Sequence, residues 1–177
     1  MRVKLLNNPR RVWLGIALAC LGMLSFGMYL QHVVGLEPCP MCIVQRYAMV
    51  LMALVALLGA FVSSRIPTLT VGGCVVLLAE GGAYVAARQS MLQWNPPEAV
   101  SCGRDFYGMI ETFPLKQAIP MIFKGSGDCS KVDWTFLGGS IANWSFVAFL
   151  VMGTLALVTT LRVLRPQSMA VKASAEA

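Results

Sequence analysis

The sequence predicts an all-α integral membrane protein, built as an antiparallel four-helix transmembrane bundle with one long loop outside the membrane. Two observations support this fold class. Hydrophobic residues make up 57% of the 177 residues and charged residues only 12%, a composition too apolar for a surface that faces water. The hydrophobic residues also fall into runs of about 20 residues, the length that a helix needs to cross ~30 Å of hydrocarbon. Little sequence remains for a separate soluble core, so residues 1–177 are predicted to form a single membrane domain.

Four spans are predicted, over about residues 12–34, 43–62, 68–87 and 141–161. The first and last contain no Asp, Glu, Lys or Arg, the second contains only Arg46, and the third contains only Glu80. Each span should be helical, because lipid offers the backbone no hydrogen-bond partners. The first span follows Arg10 and Arg11 as a signal peptide would, but it is too long for one, and we predict that it is retained.

The distribution of Lys and Arg predicts the orientation of the bundle. Basic residues are concentrated in the N-terminal segment, the loop between spans two and three, and the C-terminal tail: Arg2, Lys4, Arg10, Arg11, Arg65, Arg162, Arg165 and Lys172. A four-span protein places these three segments on one side, which is predicted to be the cytoplasm. Residues 35–42 and 88–140 then form the outer loops. The net charge of +6 is explained by this clustering, and no nucleic-acid partner is predicted.

The long outer loop is predicted to be largely irregular, since Asn95-Pro96-Pro97 should end the third span. Within it, residues 113–123 carry apolar side chains at helical spacing. A short amphipathic helix lying on the membrane surface and a loop packed on the top of the bundle explain this pattern equally well. Tryptophans that should anchor the outer ends of the spans at the interface are Trp94, Trp134 and Trp144.

The six cysteines divide into two classes by topology. Cys20 and Cys74 fall inside spans, where a cysteine behaves as a small hydrophobic residue. The remaining four all fall on the outer side: Cys39, Cys42, Cys102 and Cys129. An even number of cysteines in an oxidising compartment indicates disulfides. A zinc site would need a second Cys-x-x-Cys unit, which is missing, so no metal is predicted.

The pairing of the outer cysteines stays open at this point, because four cysteines allow three pairings and the sequence does not choose among them. Cys39-Pro40-Met41-Cys42 is a Cys-x-x-Cys unit, and this spacing permits the readily exchanged disulfide of thiol oxidoreductases. Two static, stapling disulfides are the alternative. A staple fits Cys39 and Cys42 poorly, since so small a loop removes little chain entropy.

The position of Cys42 favours a redox interpretation. Pro38 and Pro40 precede the second span, so Cys42 should lie in its first turn, where the helix N-terminus stabilises a thiolate. Arg46 follows one turn deeper on the same helix face. Two interpretations of Arg46 are equally supported: a side chain that reaches the lipid headgroups, or a fixed cation beside a thiolate and an electron acceptor.

The chain resembles the DsbB disulfide bond formation proteins over nearly its whole length, excluding the tails. The resemblance is carried by Gln31-His32-Val33, Leu36, Pro38-Cys39-x-x-Cys42, Arg46, Met91-Leu92-Gln93, Gly125-Ser126-Gly127-Asp128-Cys129 and the segment Trp134 to Gly138. It implies a quinone-dependent protein-disulfide oxidoreductase of the bacterial inner membrane. Both termini would then be cytoplasmic, and the active cysteines and the long loop periplasmic.

The resemblance also implies a role for each site residue. Cys102 and Cys129 would form the disulfide that accepts electrons from a DsbA-like periplasmic thioredoxin-fold protein, with Cys102 forming the mixed disulfide. Cys39 and Cys42 would form the membrane-proximal disulfide. Cys42 would face a bound ubiquinone or menaquinone, and Arg46 would support its binding.

Three positions depart from the family pattern. A family member has His where Gln89 stands and Glu where Gln45 stands, so the resemblance gives neither glutamine a part in proton supply. Glu80 has no counterpart; we expect it inside the bundle, protonated or paired, with proton delivery to the quinone as the alternative. Two other functions are considered: a vitamin K epoxide reductase-like oxidase, whose motif lies near a later span, and a non-catalytic four-span assembly or receptor protein stapled by two disulfides.

Overall fold

Four long helices make up most of the computed structural model, which describes residues 8–36, 38–62, 64–96 and 129–164. The helices are α1 (Pro9–His32), α2 (Pro40–Phe61), α3 (Arg65–Trp94) and α4 (Ile141–Leu164). All four are long and apolar enough to cross a membrane. A short antiparallel hairpin precedes α4, formed by β1 (Thr135–Phe136) and β2 (Gly139–Ser140). The predicted all-α membrane bundle is confirmed.

The helix N-termini follow from local capping chemistry. The Asn8 side chain accepts a hydrogen bond from the Arg10 backbone N–H at 3.1 Å, and Pro9 occupies the first position of α1. At α2 the cap is a cysteine: Cys39 has an extended backbone, and Pro40 follows it. A proline suits the first helical position, because the N–H that it lacks has no helical partner there.

The bundle packs with neighbouring helices in sequence order. α3 contacts α4 most extensively, α2 contacts both α1 and α3, and α1 and α4 contact each other little. Small residues permit the closest approaches: Gly82 of α3 lies against the ring of Phe149, and Gly72 lies against Thr160. A side chain at either glycine would clash with α4, so these positions set the distance between the two helices.

The outward faces of the helices carry large apolar side chains, such as Leu77, which is 70% exposed. These faces are the surface that contacts lipid. Glu80 lies on the same face of α3 as Leu77 and Tyr84, and it is exposed. The expectation that Glu80 lies inside the bundle is therefore wrong, because the side of α3 that packs against the bundle is formed by small residues such as Ala79 and Ala83.

The depth of Glu80 makes its position unusual. α3 is 30 residues long, and Glu80 lies about 22 Å from either end at 1.5 Å per residue. Within the described parts of the chain, no hydrogen bond or ion pair is formed by its carboxyl group. An ionisable group in the middle of a span raises the free energy of the membrane-inserted protein.

The C-terminal end of α3 extends further than the predicted span, which ended at residue 87. Asn95 caps the helix after Trp94, just before Pro96. The added turns contain Gln89 and Ser90, both buried, and Gln93. The drop in hydropathy after residue 87 shows where the apolar run ends. The helix itself continues, because Gln89 and Ser90 are packed against the bundle. Residues 113–123, for which a surface helix and a packed loop are both predicted alternatives, lie outside the described residues, as does Cys102.

Candidate active site

The Cys-x-x-Cys unit forms the first turn of α2. Cys39 is the N-cap residue, and its sulfur accepts a hydrogen bond from the Cys42 backbone N–H at 3.3 Å. Cys42 lies in the first helical turn, as the two flanking prolines predicted. The two Sγ atoms are 2.9 Å apart. The cap geometry thus holds the two sulfurs side by side at the helix N-terminus.

A third cysteine joins this pair from a distant part of the sequence. Cys129 is fully buried and packs in one apolar cluster with Cys39, Met41 and Val85. Hydrogen bonding to Cys129 raises the pKa of the Cys39 thiol well above its ordinary value, and hydrogen bonding to Cys42 and burial act in the same direction. Cys39 therefore contacts both of the other sulfurs in a three-sulfur cluster.

Two buried glutamines complete the surroundings of the sulfurs. Gln89 on α3 and Gln45 on α2 are each 3% exposed. The Gln89 amide Nε2 donates to Cys39 Sγ and to Cys42 Sγ, at 3.2 Å in both cases. The Gln45 Nε2 donates in turn to Gln89 Oε1 at 2.7 Å. In the sequence these glutamines stand out only as departures from the family pattern. Their buried position could have been suspected because each is an uncharged polar residue near the end of an apolar helix.

Arg46 links α2 to α1 beside the cysteines. Its Nη1 donates to Gln31 Oε1 at 2.5 Å, and its Nη2 donates to the Gly27 carbonyl oxygen at 3.1 Å. Both acceptors are neutral, so these contacts orient the guanidinium without neutralising its charge. Because the side chain is held against the α1 backbone, the structure favours a fixed cation over a headgroup-seeking arginine.

One cavity of about 720 Å³ is lined by Cys39, Cys42, Gln45, Gln89 and Arg46. The cavity lies between the C-terminal half of α1 and the N-terminal half of α4, the two helices that contact each other little. Most of its wall is apolar, and its charged lining residues are Arg46, Lys131 and Asp133. Such a pocket suits a largely apolar ligand that has a few polar groups.

Aromatic rings surround the cavity on the side of the hairpin. The Phe26 and Trp134 rings meet edge to face at 5.6 Å, and Trp134 stacks on Phe136 at 6.1 Å. The Trp144 indole N–H donates to the Phe136 carbonyl oxygen at 2.9 Å. Trp134 and Trp144, predicted as interfacial anchors, therefore also form part of the cavity wall.

The other predicted residues divide as follows. Cys20 is buried and donates to the Met152 sulfur at 3.5 Å, while Cys74 is exposed on the lipid-facing surface of α3. Neither lines the cavity, consistent with their interpretation as small hydrophobic residues. Of the four predicted active cysteines, Cys39, Cys42 and Cys129 lie together, and Cys102 lies outside the described residues.

These features define a multi-pass membrane protein with a thiol cluster beside an apolar cavity. Comparison with known proteins assigns the family. The family profile of disulfide bond formation protein DsbB matches residues 9–159, and the chain belongs to this family.

Related proteins match over nearly their full length. Disulfide bond formation protein B of Polaromonas naphthalenivorans is 67% identical over 165 residues, covering 93% of this chain and 99% of that protein. The protein of the same name from Albidiferax ferrireducens is 69% identical over 156 residues, covering 86% and 88% of the two chains. That from Azoarcus sp. is 48% identical over 156 residues, covering 88% and 94%. This membership supports a role as a disulfide oxidoreductase in disulfide bond formation.

Proposed function

We propose that this protein is an inner-membrane thiol oxidase that reoxidises a DsbA-like periplasmic thioredoxin-fold protein and delivers the electrons to a membrane quinone. The electrons pass through two cysteine pairs, Cys102–Cys129 and Cys39–Cys42. One observation carries the proposal: Cys129 contacts Cys39 at the edge of an apolar cavity that also contains Cys42 and Arg46. A member of each proposed pair is thus in contact with the other pair.

The thiol chemistry follows from this contact. The partner's thiolate attacks Cys102 Sγ, and Cys129 leaves as a thiolate; the partner's second thiol then releases Cys102 and leaves the partner oxidised. The Cys129 thiolate attacks Cys39 Sγ and displaces Cys42. Cys102 then closes on Cys129, which restores the outer disulfide and releases Cys39 as a thiol. Each round moves two electrons and two protons from the partner to the Cys39–Cys42 pair.

The residues around the cavity fit a quinone. Its apolar walls suit the ring and the hydrocarbon tail, and the Arg46 guanidinium supplies a cation whose described partners, Gln31 and Gly27, are uncharged. Arg46 and Cys42 would hold the head group. A bound ubiquinone or menaquinone supplies a two-electron oxidant that leaves as a quinol. The relay requires such an oxidant, because a DsbA-type protein is itself strongly oxidising and gives up electrons reluctantly.

The proposed orientation places the cysteines at the periplasmic end of the bundle and both termini in the cytoplasm. The cysteines lie where α2 begins and α3 ends. The opposite end of the bundle carries Arg10, Arg11, Arg65 and Arg162. Arg65 there donates to the Leu164 carbonyl oxygen at 2.8 Å, joining α3 to the end of α4. This charge asymmetry supports a cytoplasmic location for that end.

A turnover assay tests the proposal. Full-length protein in detergent is mixed with ubiquinone-1 and an excess of a reduced DsbA-type protein, and the loss of quinone absorbance is followed. We expect continuous quinone reduction in the parent protein and in the Cys74→Ser variant, whose sulfur lies far from the cavity. No quinone reduction, with cysteines that stay oxidised in the presence of the reduced partner, would instead favour a stapled, non-catalytic four-span protein.

A further inference from the structure

The buried amides of Gln45 and Gln89 form a directed chain of hydrogen bonds that ends on the redox sulfurs. Gln45 donates to the Gln89 carbonyl oxygen, and Gln89 donates to both sulfurs of the Cys-x-x-Cys unit. These hydrogen bonds join α2 to α3, and both glutamines are buried in the bundle. Nothing in the thiol exchange described above uses either glutamine.

Gln45 determines the direction of these hydrogen bonds. A glutamine amide can rotate by about 180°, so that its oxygen and nitrogen swap positions. In Gln89 this rotation would place the oxygen, a hydrogen-bond acceptor, next to the sulfurs. The 2.7 Å hydrogen bond from Gln45 occupies the Gln89 oxygen, so the Gln89 NH₂ group faces the cysteines. This group has two hydrogens, and there are two sulfurs, each 3.2 Å from the nitrogen.

The effect of these donors depends on the oxidation state of the pair. A disulfide is uncharged and accepts hydrogen bonds weakly, whereas the reduced pair carries a negative charge once it loses a proton. Hydrogen bonds to a charged acceptor are about twice as strong as those between neutral groups. Burial strengthens them further, because water does not compete for the sulfurs. The two N–H groups therefore stabilise the reduced pair more than the disulfide.

We propose that Gln89 sets the redox equilibrium of the Cys39–Cys42 pair by stabilising its reduced form, and that Gln45 is a positioning residue that keeps the Gln89 donors turned toward the sulfurs. This inference rests on the proposed function, in which the pair cycles between disulfide and dithiol. It gives the pair a greater tendency to accept electrons from Cys129. A neutral amide achieves this without adding a charge to the cavity.

The equilibrium is measured on the full-length protein in detergent, without quinone and without oxygen, in buffers of reduced and oxidised dithiothreitol. One dithiothreitol closes to its cyclic disulfide as the Cys39–Cys42 bond opens to two thiols, so two electrons and two protons pass between the pairs. Alkylation followed by peptide mass spectrometry reads Cys39 and Cys42 separately from the other cysteines.

The informative variants are Gln89→Met and Gln45→Met, which keep the length of the side chain and remove the amide. Loss of hydrogen bonds to a charged group should lower the equilibrium constant for reduction of the pair about tenfold in Gln89→Met. Gln45→Met should lower it severalfold. The double variant should match Gln89→Met alone, because Gln45 acts only through Gln89. The matched control is Ser90→Ala, since Ser90 is buried on the same helix but donates to the Ala86 carbonyl.

Two results would overturn the inference. One is an equilibrium constant for reduction of the Cys39–Cys42 pair that is unchanged in Gln89→Met. The other is a double variant whose change in this constant equals the sum of the changes in free energy of the two single variants. Should Gln89→Met fail to fold, Gln89→Asn withdraws the amide by one methylene and must shift the equilibrium in the same direction. Failure of the proposed function gives a different result: a parent protein whose Cys39–Cys42 pair is not reduced at any dithiothreitol ratio.

Discussion

Replacement of Arg46 by alanine separates quinone binding from thiol exchange. The guanidinium lies in the cavity wall, and its nitrogens are 2.5 Å from Gln31 Oε1 and 3.1 Å from the Gly27 oxygen. Its described hydrogen bonds go to Met28, Gln31 and Gly27, and none goes to Cys129, the proposed donor of electrons to the inner pair. A hydrogen bond to a charged group is worth about 1.5–3 kcal/mol, so the KM for quinone should rise roughly 10- to 100-fold in Arg46→Ala. The KM for the thiol partner should change by less than about threefold.

The assay measures initial rates against ubiquinone-1 at saturating reduced partner, and then against the partner at saturating quinone. Arg46→Lys is the matched control: it keeps the charge but lacks the planar fork that reaches both Gln31 and Gly27, so its KM for quinone should be intermediate. Thermal unfolding checks that the bundle survives the loss of the α1–α2 link. An equal rise in both KM values, or no rise in either, would refute a role for Arg46 in the quinone pocket.

Three further predictions concern the sulfurs and the lipid-facing carboxyl. Cys42→Ser should abolish quinone reduction by the purified protein; a rate equal to that of the parent would remove Cys42 from the path. A partner that lacks its second cysteine should accumulate as a mixed disulfide with Cys102, seen on non-reducing gels, because the thiol that would release Cys102 is gone; a complex trapped at Cys39 would reverse the order of the pairs. Glu80→Leu should make membrane insertion of the α3 segment more favourable by about 2 to 3 kcal/mol in an insertion assay, with unchanged quinone turnover, since a mid-span carboxyl is replaced by an apolar side chain. A loss of turnover would instead assign Glu80 to proton delivery.

The helices could be predicted because a single strong effect determines them. Lipid requires uninterrupted helical hydrogen bonding, so apolar runs of sufficient length indicate where α1 to α4 lie. The position of Cys42 was equally accessible, because Pro38 and Pro40 constrain where α2 begins. In both cases neighbouring residues contain the information, and no knowledge of the packing is needed.

Features that depend on helix rotation were not accessible in this way. Whether Glu80 faces lipid or protein depends on which side of α3 packs against α4, and that choice is made by small residues such as Gly72 and Gly82. The contact between Gln45 and Gln89 likewise requires the relative rotation and height of α2 and α3. A polar residue inside a span signals a special environment, but it does not identify its partner.

The contact between Cys39 and Cys129 lay beyond sequence reasoning from spacing alone. Cys39 and Cys129 are 90 positions apart in the sequence, and four cysteines permit three pairings. The family resemblance supplied an expected order of transfer, and the structure supplies the contact between Cys129 and the inner pair. The aromatic wall formed by Phe26, Trp134 and Phe136 is another such feature, because its rings come from α1 and from the hairpin before α4.

The most direct test of the relay is a single turnover without any partner protein. The full-length protein is reduced, freed of reductant and quinone, and mixed anaerobically with one equivalent of ubiquinone-1, while quinone absorbance and the oxidation state of each cysteine are followed together. The account predicts that one quinone is reduced for each Cys39–Cys42 disulfide formed, and that Cys42→Ser reduces none. Quinone that stays oxidised while Cys39 and Cys42 remain thiols would contradict it.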